Sequence, residues 1–205
     1  MKTLVSHINE ALKIGKNLSK FSTYFCQPKT KDELEKIIDE RIKQYGLKCD
    51  LNDIDVSLIT EMRSLFYRSA FNGDISKWDV SNVKDMAWMF NGSIFNGDIS
   101  NWNVSNVKDM YRMFTHSDFN GDISNWDTSN VENMAYMFYN ADFNRDISRW
   151  DVNNVKNLQS MFEKSKFNQD ISNWKISKDC IKYMSYNMFA GCPIKEEYKP
   201  KIMQK

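Results

Sequence analysis

Apolar side chains return along this chain with a period of 24 residues. Set in lines of that length, Phe71, Phe95, Phe119, Phe143 and Phe167 share one column, and Trp78, Trp102, Trp126, Trp150 and Trp174 share another. Self-similarity at a fixed period marks a chain built of units that cannot bury their own apolar side and must stack to do so. One period earlier the columns hold Leu47, Leu51, Ile54, Val56, Ile59, Met62, Leu65 and Phe66, a first and degenerate unit over residues 47–70. The last unit starts at Phe167, keeps Ile171, Trp174 and Ile176, and then takes about three inserted residues before Met188 and Phe189. Atypical end units are expected where stacking stops and a face meets water.

Within the unit FNGDISKWDVSNVKDMAWMFNGSI, Val83, Met86, Met89 and Phe90 fall at i, i+3, i+6 and i+7, which predicts a short amphipathic helix with Ser81 or Asn82 as its N-cap. Trp78 and Val80 alternate with Asp79 as strand residues do, and Asn72-Gly73 signals a turn. The expected fold is therefore an α/β repeat solenoid of six stacked coils, each a turn, a short strand and a short helix, over residues 47–190. Strands stacked about 4.8 Å apart would give a rod core roughly 25 to 30 Å long.

Ahead of the repeats, Thr30-x-x-Glu33 forms a capping box before Leu34, Ile37, Ile38, Ile42 and Tyr45, and Gly46 stands where a C-cap belongs. This predicts a helix whose apolar face covers the open end of the first unit, making residues 1–46 an N-terminal extension and helical cap. Leu4, Ile8, Ala11 and Leu12 suit a second short amphipathic helix, either a docking peptide or more of the cap. Residues 191–205 read as a C-terminal tail.

Charge changes the picture locally. Lys and Arg number 28 against 27 Asp and Glu, yet residues 49–174 carry eleven basic and eighteen acidic side chains. An acidic middle disfavours a nucleic-acid groove. The opening MKTLVSHINEALKIGKNLSK has no unbroken apolar run of signal-peptide length, and no segment approaches the ~20 apolar residues of a membrane span, so the expected location is the cytoplasm. Cys26, Cys49, Cys180 and Cys192 lack C-x-x-C spacing, and His7 and His116 are the only histidines, which argues for free thiols and against zinc. The recurring Asn72, Asp74 and Ser76 positions invite a calcium reading, but Asx turns explain them without a metal or any cofactor. The methionine columns Met86, Met110, Met134 and Met89, Met113, Met137 have inward-facing helical spacing and are assigned to the core.

The units FNGDISKWDVSNVKDMAWMF, FNGDISNWNVSNVKDMYRMF and FNGDISNWDTSNVENMAYMF resemble the repeat of the BspA-like leucine-rich-repeat surface-protein family, over about residues 47 to 190. The resemblance implies a leucine-rich-repeat-like solenoid. Members at cell surfaces resemble adhesins, whereas this chain reads as lacking their export signal. The opening SHINEALKI, with PKTKDELEKIIDERI leading into DLNDIDVS, is similar to leaders of repeat proteins encoded by bacteriophages of gut bacteria. That similarity implies a partner in the infected host cell or in the virion.

No phosphate-binding glycine loop, nucleophile elbow or zinc-ligand pattern is present, so an enzyme is not expected. The expectation is a non-enzymatic protein-binding module, with a structural or surface component anchored through the N-terminal segment as the alternative. Taking 100° per residue with Val83, Met86, Met89 and Phe90 inward, positions 84, 88 and 91 of each unit point to solvent. Those columns and their flank supply the candidate protein-binding residues Trp88, Tyr111, Arg112, Tyr136 and Tyr139, of types that dominate interface hot spots. The competing reading has Trp88 and Tyr136 lying against neighbouring units and only covering the stack.

Overall fold

The computed structural model describes residues 26–177, 180 and 187–204. The segment around Leu4, Ile8, Ala11 and Leu12 lies outside the described residues. Helix α1 spans Lys31–Tyr45. The Thr30 side chain accepts the Glu33 N–H, Glu33 accepts the Lys29 N–H at 2.8 Å, and Gly46 closes the far end by donating to the Ile42 carbonyl at 2.8 Å. The φ of 85° at Gly46 is a conformation that favours glycine. Leu34 and Ile38 are buried in the same apolar cluster as Leu51, Ile54 and Val56 of the first unit. Arg41 clamps the contact through an ion pair to Asp53 at 2.6 Å, and Lys31 Nζ reaches the Arg63 carbonyl at 3.1 Å.

Over residues 47–177 the repeats contain neither the expected short helices nor regular strands. From Met86 to Ser93 alternate N–H groups serve different partners. Those of Met86, Trp88, Phe90 and Gly92 donate to Asp109, Tyr111, Met113 and Thr115 of the next unit, and those of Met89, Asn91 and Ser93 donate three residues back to Met86, Trp88 and Phe90. An α-helix would turn every N–H to its own chain. Here half are given to the neighbour, so the segment is a run of tight turns. The 100° rule fails with the helix: Asn91 and Thr115, expected in solvent, are buried, as is Ser160. Ser81 and Asn82 cap no helix, since the Ser81 N–H bonds Asp79 and the Asn82 amide reaches the Ser57 carbonyl. The strand-like pairing reduces to isolated parallel bridges, one of them continuous along Glu61, Asp85, Asp109, Asn133 and Asn157.

Other bonds repeat at the period of the sequence. Asn96, Asn120, Asn144 and Asn168 each donate their backbone N–H to the side-chain oxygen of the asparagine 24 residues earlier, at 2.8 to 3.0 Å. The indole N–H of Trp78, Trp102, Trp126, Trp150 and Trp174 donates to the carbonyl 27 residues earlier, on Leu51, Ile75, Ile99, Ile123 and Ile147, at 3.0 to 3.1 Å. These rings are buried, as are the phenylalanine and methionine columns. Phe66, Phe90, Phe114, Phe138, Phe162 and Phe189 stack nearly parallel at 5.5 to 5.8 Å between successive rings, the last contact bridging the insertion. The tail folds back on the last unit through Ile171 N–H to the Tyr198 carbonyl and Lys195 N–H to Asn168.

Asn72-Gly73 is not a turn. Gly73 is buried, and a β-carbon there would lie 2.0 Å from the Cys49 carbonyl oxygen and 2.7 Å from the Phe71 ring. At Gly121 the preceding carbonyl, on Gly97, stands 3.6 Å away. Gly73→Ala should therefore destabilise by about 1 to 3 kcal/mol and by more than Gly121→Ala, measured by denaturant unfolding. Trp126→Ala should cost about 3 to 5 kcal/mol. Trp126→Phe, which keeps an aromatic ring but removes the donor to the Ile99 carbonyl, should cost about 1 to 3 kcal/mol; an unchanged unfolding free energy in Trp126→Phe would remove any role for the indole N–H.

Candidate functional site

Each unit turns its corners on short polar side chains. Asp74, Asp98, Asp122, Asp146 and Asp170 accept the backbone N–H two residues on, at 2.9 Å. Asp79, Asn103, Asp127 and Asp151 do the same at a second corner, and Asp85, Asp109, Asn133 and Asn157 at a third. The hydrogen-bonded N–H groups hold the carboxyls of Asp74, Asp122 and Asp170 below the ordinary range; Asp127 is lowered first by the Ser129 hydroxyl and then by its N–H. Asp109 goes the other way: burial raises it and Asp85 adds to the rise. Arg63 spans this pair, 2.9 Å from Asp85 and 3.2 Å from Asp109. Among the described residues no group of three or more His, Cys, Asp or Glu is placed to hold a metal ion. The four cysteines are free, and burial pushes Cys180 up to about 11. A shallow cavity of about 400 Å³ between α1 and the first unit is lined by Arg41, Tyr45, Cys49, Asp50 and Asp53. The Arg41–Asp53 ion pair lies in its wall.

The five candidate residues come together on one face. Trp88, Tyr111, Arg112, Tyr136 and Tyr139 are all half-buried. The Arg112 guanidinium carbon lies 5.0 Å from the Trp88 ring centre, 5.3 Å from Tyr111 and 4.3 Å from Tyr136, and its Nε–H donates to the Tyr111 hydroxyl at 2.9 Å. Tyr67, Trp88, Tyr111, Tyr136 and Tyr139 form an unbroken path of ring contacts at 5.7 to 6.1 Å. The side chains pack along the stack and remain partly open to water.

The sequence reading missed the two ends of this strip. Arg68 lies 5.3 Å from the Tyr67 ring centre, and Lys164 donates to the Tyr139 hydroxyl at 3.1 Å, a bond that raises Lys164. It also missed the backbone. Ser64, Trp88, Arg112, Tyr136 and Ser160 all have φ between 51° and 63°, and Arg68, Gly92, His116, Asn140 and Lys164 form a second left-handed column. Glycine in one member of the second column was the available signal.

A family model described as "Mycoplasma protein of unknown function, DUF285" matches residues 34–141 and 115–198. The chain belongs to this family. No curated protein and no solved structure matches it. The DUF285 match takes in the candidate strip and most of α1, and the chain is a repeat protein. No helix among the described residues is long and apolar enough to cross a membrane.

The corner carboxylates set an acid limit. Groups whose folded pKa is depressed contribute stability above their unfolded pKa and lose it as pH falls through the folded value. Unfolding free energy should therefore drop as pH is lowered from about 5. Asp122→Asn should flatten that drop while keeping the turn, as Asn103 does at the second corner; an unchanged pH profile would show that Asp122 contributes nothing to it.

Proposed function

We propose that this chain is a non-enzymatic protein-binding module: a leucine-rich-repeat-like solenoid of the BspA type, capped by α1, that offers the face of Trp88, Tyr111, Arg112, Tyr136 and Tyr139 to a partner. The observation that carries the reading is the choice of side chain in the left-handed column. Ser64 and Ser160 occupy the same conformation in outer units, at φ 62° and 51°, so stacking itself accepts a small residue there. Left-handed backbone costs a residue with a β-carbon of order 1 kcal/mol or more, and large side chains held in it cluster where they have a task. Trp, Arg and Tyr fill the column only in the middle units. They bury large area and keep a polar group for hydrogen bonding, and the two-torsion side chains of Trp and Tyr lose little entropy in doing so. The resemblance of the leader to phage-encoded repeat proteins supports a partner in the host cell or virion, and an acidic body supports a protein partner over nucleic acid.

The double substitution Trp88→Ala with Tyr136→Ala tests the proposal. Melting within a few degrees of the parent and loss of the proteins captured from host lysate by the immobilised parent are expected. A strongly lowered melting temperature would assign the two rings to covering the stack, and normal melting with undiminished capture would move the site off this face.

A further inference from the structure

The strip is electrostatically unlike the body that carries it. Residues 49–174 hold eleven basic and eighteen acidic side chains, and the corners of the units are lined with aspartates. Elsewhere Arg145 donates to the Asn120 carbonyl, and Arg41, Arg63, Lys108, Lys156 and Lys166 each have a carboxylate partner. Arg68, Arg112 and Lys164 have none among the described residues, and each lies instead against a tyrosine or tryptophan ring.

Arg112 is the most constrained of the three. Trp88, Tyr111 and Tyr136 surround its guanidinium, and Tyr111 takes the Nε–H. The remaining donors are those of Nη1 and Nη2, whose fork matches the two oxygens of a carboxylate. Rings around the guanidinium lower the local dielectric and remove the entropy that an arginine normally loses on binding. Both features suit recognition of an anion by the fork.

We propose that this face binds an acidic polypeptide segment, with Arg112 taking one Asp or Glu carboxylate in a bidentate pair and the flanking rings packing against the neighbouring residues of the segment. The assignment rests on the protein-binding reading above and specifies its partner. Single-stranded nucleic acid would also stack on aromatic rings, but it carries a charge at every nucleotide and would run from three separated cations onto the aspartate corners. A peptide with a few carboxylates matches the separated cations.

Trp88 supplies a reporter, since it is the half-buried tryptophan among six and the other five are buried. In protein carrying 5-fluorotryptophan, the Trp88 fluorine resonance is identified by its loss in Trp88→Phe. Titration with an amide-capped tetraglutamate peptide should shift it to saturation. Capped tetraglutamine should leave it in place, and Arg112→Gln should weaken the response roughly tenfold or more with an unchanged melting temperature. Arg112→Lys, which keeps the charge without the fork, should bind more weakly than the parent and guards against loss of folding in the glutamine variant. No shift with tetraglutamate at millimolar concentration, or equal responses in the parent and Arg112→Gln, would overturn the assignment. Tighter binding of oligothymidylate than of tetraglutamate would replace the peptide by nucleic acid. If Arg112→Gln still captures the lysate proteins that the Trp88→Ala, Tyr136→Ala variant loses, the protein-binding reading stands and the carboxylate assignment falls.

Discussion

A backbone that abandons helix and sheet must still find a partner for every buried N–H and C=O, and here the partners are found in the next copy of the same sequence. From Met86 to Ser93 the donors alternate between the unit's own turn and the unit that follows. The pattern is satisfiable only if every unit has the same length, because one extra residue would exchange inward and outward donors. The three residues inserted before Met188 come at the end of the array, where Phe162 and Lys164 still find the Met188 and Ala190 carbonyls. The strict period is thus a hydrogen-bonding requirement before it is a packing one.

Packing follows from that register. With equivalent backbone atoms in line, like side chains fall on like, and flat rings are the shapes that stack on their own image with least void. Tryptophan adds a donor that reaches back 27 residues, so each ring binds its unit to the one before both by area and by a buried hydrogen bond. Asparagine does the same at the surface through its side-chain oxygen. Repetition of aspartate along the stack is less comfortable. Where Asp85 and Asp109 are adjacent, Arg63 from a third unit lies between them, and farther along the column asparagine replaces aspartate while keeping the turn.

The columns of Phe71 and Trp78 were legible because burial leaves a mark on residue type, and α1 was legible because its caps are local chemistry. The repeats' inner conformation was not. Val83, Met86, Met89 and Phe90 have a spacing of three that successive three-residue turns share with a helix, and hydrophobic periodicity alone does not separate the two. The left-handed backbone at Trp88, Arg112 and Tyr136 was hidden because those residues are not the ones that signal it. Vertical alignment by 24 was enough to bring the candidate residues into one strip. The interleaving of Arg112 between the Trp88, Tyr111 and Tyr136 rings was not legible, because it depends on side-chain geometry that column alignment does not carry.

Because each unit bonds mainly to the units on either side, the gene can change by whole repeats with little disturbance to the core. Loss of residues 95–118 by unequal recombination would bring Phe119 onto Phe71 and rejoin the phenylalanine, tryptophan and asparagine ladders, while removing Tyr111 and Arg112 and setting Trp88 directly beneath Tyr136. A scaffold of interchangeable storeys can therefore rewrite its recognition surface one floor at a time, and selection on binding need not pass through unfolded intermediates.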